Sequence, residues 1–151
     1  MMVRMKRLGQ PDKVAYSSRF RLDTGANVSS VTLALAADVL DYFPNGKPPT
    51  PDQLKARLLR EVSAQKLAPI QLTSASGADL TGYPLWIPIE IADDHGEVAE
   101  LEALVSFTEG QDAESRLAGL TGFLDRFDVS LKAQAFSLRA RPNSGVRCPR
   151  N

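Results

Sequence analysis

Asp23-Thr24-Gly25 is the stretch of this chain best suited to chemistry. Phe20 and Leu22 share one face of an extended run that leads into it, and Ala26, Asn27 and a Ser/Val segment follow. An aspartate followed by a small hydroxyl residue and glycine can close a tight loop. Backbone N–H groups there hydrogen-bond the carboxylate, and glycine adds no side chain to block a substrate. The tripeptide alone can close an ordinary turn, so its weight comes from the strand before it and the helix-leading segment after it. A phosphorylated aspartate of the ion-pump kind requires Asp-Lys-Thr-Gly, and the lysine is absent. A two-metal site needs several converging acids, and no second acid lies near Asp23. A glycosidase-like carboxylate pair is open in principle, with nothing in the sequence to pick out the second acid.

Other reactive side chains read more plainly. His95 stands alone in the turn cluster Asp93-Asp94-His95-Gly96 and suits a solvated position. Tyr83 and Trp86 could touch a substrate, yet strand aromatics more often serve core or sheet surface. Cys148 has Arg147 and Arg150 nearby, which favour a thiolate, but an incidental thiol is the better reading. Asp125 and Asp128 suit structural salt bridges with neighbours such as Arg126. A single cysteine excludes an intrachain disulfide and a cysteine-based zinc cage, and no metal or cofactor is expected.

The elements that must position Asp23 are mostly strands. Tyr83, Leu85, Ile87, Ile89 and Ile91 alternate with Pro84, Pro88 and Glu90, the period of a half-buried strand. Pro84 and Pro88 share a parity, so their missing N–H groups face one side, expected to be an edge or an irregular partner. After the turn at Asp93, Leu101, Ala103, Val105 and Phe107 alternate with Glu100, Glu102 and Ser106, which completes a β-hairpin. Leu33 to Tyr42 reads as a helix with Thr32 as its cap. Thr50-Pro51-Asp52-Gln53 opens a second helix to about Ala64, with Leu54, Leu58, Leu59 and Val62 as its apolar stripe. The class is mainly β with two helices.

Composition bounds the rest. The chain has 151 residues, 43% of them apolar, and 18 Lys plus Arg balance 18 Asp plus Glu. That length makes one domain able to bury a core without a metal or disulfide staple. Zero formal charge argues against a dedicated nucleic-acid binder, so no nucleic-acid partner is expected. No membrane segment is expected either, because no apolar run nears the ~20 residues that span a bilayer. Met1 to Arg7 is basic, but Gly9, Gln10 and Asp12 follow where a secretory signal would place its apolar core, so the expected location is cytoplasmic. Ten of the 18 acids lie between Asp79 and Glu114, which a solvated hairpin face or a bias towards basic peptides would both explain. Arg139 to Asn151 carries four arginines and no acid.

Leu22-Asp23-Thr24-Gly25-Ala26 resembles the catalytic loop of the retroviral-type (retropepsin-like) aspartic proteases and their bacterial single-domain relatives. Ser74-Ala75-Ser76-Gly77-Ala78-Asp79 precedes the strand Leu80 to Ile91, where that family places its flap hairpin. Leu117-Ala118-Gly119, followed by Gly122 to Phe127, is similar to the family's hydrophobic-hydrophobic-Gly motif and the segment after it. The resemblance covers roughly Phe20 to Leu138. It implies a retropepsin-like closed or bent β-sheet, the acid-protease fold with one or two added helices, over residues 1–138. The helix at about 50–65 would be an insertion, and 139–151 a basic, flexible tail. The residues before Asp23 lack a clear long strand, so a shortened first hairpin is expected.

The resemblance further implies an aspartic endopeptidase acting on a peptide or protein substrate. That chemistry takes two carboxylates, and this chain has one such loop, which implies a homodimer with Asp23 from each copy at a twofold axis. By the same resemblance Asp23 is catalytic, Thr24 links the two loops, and Gly25 offers backbone contacts. Ala26 and Asn27 line the cleft, Ser76, Gly77 and Ala78 form the flap tip, and Leu117, Ala118 and Gly119 support the loop. The alternative is a non-catalytic retropepsin-like module for dimerisation or peptide binding. A carboxylate-pair hydrolase for another substrate is a more distant reading.

Overall fold

The computed structural model describes residues 1–74, 76–110, 116–133 and 135–149. Ala75 of the flap-like motif, Asp112 and Glu114 of the acidic run, and Arg150 and Asn151 of the basic segment lie outside the described residues. The protein is mainly β: a curled, open sheet with two α-helices. Of the closed or bent sheet expected, the bent and open form is found, because the strand path ends at two different strands that do not pair with each other.

The chain opens with a full hairpin, β1 (Met2–Arg7) and β2 (Gln10–Arg19), so the expectation of a shortened one is corrected. Val3 and Met5 are completely buried and pair with Ile91 and Ile89, while Arg4 and Lys6 point the other way towards Glu90. Charge at Arg4, Lys6 and Arg7 kept a clear long strand from being read here. Gly9 turns the hairpin with φ of 82°, a conformation that favours glycine. β3 (Arg21–Leu22) then leads to Asp23, and β4 (Ser29–Thr32) leaves it.

The expected helix from Leu33 to Tyr42 is shorter. A 3₁₀ turn over Leu33–Leu35 precedes α1 (Ala36–Leu40), and Thr32 makes no side-chain cap. α1 ends where Asp41 turns left-handed and the Tyr42 N–H donates back to the Ala37 carbonyl. α2 (Pro51–Ala64) begins with the expected capping box: Gln53 N–H donates to Thr50 Oγ1 and Thr50 N–H to Gln53 Oε1. Leu54, Leu58 and Val62 are buried, whereas Leu59 is 46% exposed and lies outside the stripe.

β5 (Ile70–Thr73), β6 (Asp79–Ala92) and β7 (Val98–Thr108) carry the centre of the sheet. β6 and β7 pair along their length, from Gly82↔Thr108 to Ala92↔Val98, about the expected turn. Asp93 Oδ1 accepts the His95 and Glu97 N–H groups there. The other edge of β6 is shared: β5 pairs with residues 79–82 and β1 with residues 89–92. Pro84 and Pro88 fall in the gap between them. Trp86, of the same parity, has its N–H and C=O bound by the side-chain amide of Gln65, at 2.8 and 3.2 Å. The irregular partner expected beside the prolines is therefore one glutamine from the end of α2.

β8 (Leu117–Ala118) lies between β4 and β3, giving the order β2-β1-β6-β7-β4-β8-β3. β9 (Phe127–Lys132) and β10 (Ala135–Ala140) form a separate ribbon. The basic segment after it is tied to the body. Arg141 pairs with Asp128, and the Arg147 and Glu100 backbones exchange hydrogen bonds of 2.7 and 2.8 Å. Arginines without local acids have found them on the strands. Among the described residues no helix is long and apolar enough to cross a membrane.

Candidate active site

β8 organises the Asp23 loop by lying between the strand that enters it and the strand that leaves it. β3 runs parallel to β8, with Arg21 opposite Leu117 and Leu22 opposite Ala118. β4 runs parallel to β7 and meets β8 antiparallel at Ser30 and Leu117. The two-residue strands are short because the chain must leave each ladder to form the loop.

The hydrogen bonds of the loop follow from this crossing. The Asp23 N–H donates to the Ala118 carbonyl at 3.0 Å. Beyond the crossing, the Leu120 N–H donates to Ala26 O at 2.9 Å and the Thr121 N–H to Asn27 O at 2.8 Å. Inside the loop, Gly25 N–H donates to Asp23 Oδ1 at 3.0 Å and Ala26 N–H to Asp23 O at 3.2 Å. Among the described residues the second carboxylate oxygen accepts no hydrogen bond. Asp23 is half-buried, with Thr24, Gly25 and Asn27 exposed and Ala26 partly so. The arrangement can hold an aspartate rigidly by its backbone while leaving one carboxylate oxygen open to water or to another acid.

Gly119 is the tightest point. A Cβ there would stand 2.4 Å from the carbonyl carbon and oxygen of Val28, so the chain segments cross with no room for a side chain. Ala118 and Gly119 are buried and Leu117 partly so, which brings the three residues expected to support the loop directly against it. Ser76, Gly77 and Ala78 lie at the exposed tip of the β5–β6 hairpin. Gly77 turns it at φ 83°, and Ser74 Oγ accepts the Ala78 N–H. No hydrogen bond joins this tip to the Asp23 loop among the described residues.

Sequence reasoning missed the buried hydroxyls behind the loop. Ser29 Oγ accepts the Gly119 N–H at 3.0 Å. Ser30 and Thr108 share a 2.9 Å hydrogen bond, and Thr108 and Ser106 one of 3.2 Å. Ser106 was expected on the polar face of its hairpin, yet it is 1% exposed beneath Gly82, where a Cβ would meet its hydroxyl at 2.2 Å. No pattern around Ser29 or Ser30 in the sequence announced these partners, which lie far along the chain.

Among the described residues no hydrogen bond or ion pair joins the remaining candidates to Asp23. His95 is exposed in its turn, and Cys148 is exposed. Tyr83 is in the core, and Trp86 packs beside Leu104 and Gly122 with the Arg126 guanidinium 5.6 Å from its ring centre. Asp125 pairs with Arg126 and accepts the Gly122 N–H, while Asp128 pairs with Arg141. No group of three or more potential metal ligands occurs among the described residues. Two clefts of about 830 and 1140 Å³ lie elsewhere, and the Asp23 loop lines neither. No family model, curated protein or solved structure matches this chain.

Proposed function

We propose that the protein is an aspartic endopeptidase that works as a homodimer, each copy contributing Asp23. The observation that carries this reading is the clamped loop, with a half-buried Asp23 whose Oδ1 is held by Gly25 and whose other oxygen is open. A dyad would give the open carboxylate oxygen its partner, since among the described residues none reaches it. Two carboxylates at contact cannot both ionise, so the pair shares one proton. The ionised member takes a proton from water as the oxygen forms its bond to the peptide carbonyl carbon. The protonated member gives its proton to the carbonyl oxygen. In the resulting tetrahedral diol the newly protonated aspartate gives its proton to the nitrogen, and the ionised one takes a proton from a diol hydroxyl. The C–N bond breaks as they do so, which yields an acid and an amine and restores the pair.

In this reading Thr24 bonds across the twofold axis, and Ala26 and Asn27 line the cleft. Ser76, Gly77 and Ala78 close over the substrate, while Leu117, Ala118 and Gly119 hold the loop from behind. The retropepsin-like fold and the cytoplasmic location belong to the same proposal.

Peptide cleavage at mildly acidic pH tests it. Asp23→Asn should lower kcat by about 10²–10⁴-fold, the usual weight of a general acid–base group, and parent activity should fall faster than linearly on dilution. Parent-like turnover by the variant would refute the proposal. A stable parent that binds peptides without cutting them would instead support the non-catalytic module.

A further inference from the structure

We propose that Ser29 is a positioning residue for Asp23, an inference that rests on the protease reading above. Its hydroxyl accepts the Gly119 N–H at 3.0 Å, and the Ala118 carbonyl accepts the Asp23 N–H at 3.0 Å. Those two groups belong to one peptide unit. The Ala118 C=O and the Gly119 N–H lie in a single rigid plane and point in opposite directions. Ser29 therefore holds one end of the plane from which Asp23 hangs at the other.

The site gives that hydroxyl a role the backbone does not fill. The ladder of β8 ends at Ala118, and main-chain bonding resumes with the Leu120 N–H on Ala26 O and the Val28–Thr121 bridge. Between them, Gly119 lies against the Val28 carbonyl too closely for any side chain, and Ser29 Oγ is the acceptor its N–H finds. Ser29 is 0% exposed and Gly119 is buried, so the bond is shut off from bulk solvent. Without the hydroxyl a buried N–H is left unpaired, and the peptide plane turns to seek another acceptor. That turn carries the Ala118 carbonyl, and with it the Asp23 backbone, away from the alignment that two facing carboxylates require.

Ser29→Ala, Ser29→Thr and the parent chain, assayed for kcat and KM across pH with amide hydrogen exchange on each, test the proposal. Ser29→Ala should lower kcat by about 10- to 100-fold, the cost of a small misplacement of a reacting group. KM should hold, the acidic and basic limits of the kcat profile should shift, and the Asp23 and Gly119 amides should exchange faster. Ser29→Thr, which keeps the hydroxyl, should recover both readouts. If Ser29→Ala fails to fold, Ser29→Cys fills the site with a slightly larger but weaker acceptor and should lie between the two. Parent-like kcat and exchange in Ser29→Ala or Ser29→Cys would overturn the proposal, as would a loss that Ser29→Thr does not recover. A parent that cleaves nothing refutes the protease reading alone. The amide exchange then still decides the Ser29 link, faster exchange in Ser29→Ala sustaining it and unchanged exchange overturning it.

Discussion

Val28 and Gly119 pass each other with their backbones in contact, and this sets what the Asp23 loop tolerates. A methyl group at 119 would lie 2.4 Å from main-chain atoms that cannot rotate aside, so the two segments must separate. Gly119→Ala should destabilise the protein by about 1–3 kcal/mol, the range for overpacking a tight site. Chemical denaturation checks this, and a midpoint equal to the parent's would show that the crossing yields without cost. The same residue shows where sequence reading stops. Leu117-Ala118-Gly119 could be read as a support for the loop because the three stand together as a motif. Ser29 could not, because its partner is a backbone N–H 90 residues away and nothing in its own neighbourhood marks it.

Among the elements, the long β6–β7 hairpin and α2 were readable in the sequence because their signals are local. Alternation from Tyr83 to Ile91 and the Thr50–Gln53 capping box each lie within one stretch of chain. β2 was not readable, since it sits at the sheet's edge with most of its residues exposed and so carries little apolar pattern. The ending of α1 after five residues rests on Asp41 adopting φ of 50°, which helix propensity does not foretell. Gln65 is a further case: the prolines announced a gap in pairing, but not what fills it. Gln65→Ala leaves the Trp86 N–H and C=O without that partner and should cost about 1 kcal/mol, the net worth of ordinary hydrogen bonds. The denaturation midpoint is the measurement, and no change would mean that the glutamine only occupies space.

For the molecule as a whole, balanced charge conceals a division of labour. Residues between Lys66 and Arg116 include no Lys or Arg, so the acids of β6 and β7 draw on cations from elsewhere in the chain. Lys6 and Arg4 of β1 reach Glu90 at 2.9 and 3.4 Å, and Arg147 reaches Glu100 at 3.5 Å. The hydrogen bond from Lys6 holds the Glu90 carboxyl below its ordinary range despite partial burial. A lowered carboxylate contributes fully above its unfolded value, and the contribution is lost as pH falls through the folded one. The gap in thermal midpoint between the parent and Glu90→Gln should therefore persist at mildly acidic pH and close below the ordinary carboxylate range. A gap independent of pH would argue against this ion pair as its source.

Gln65 also acts as a spacer between layers. Its amide is held by the sheet and its Cα by the end of the helix, so the length of one side chain meters the separation between them. Asparagine at that position, shorter by one carbon–carbon bond of ~1.5 Å, could keep both contacts only if helix and sheet closed ranks.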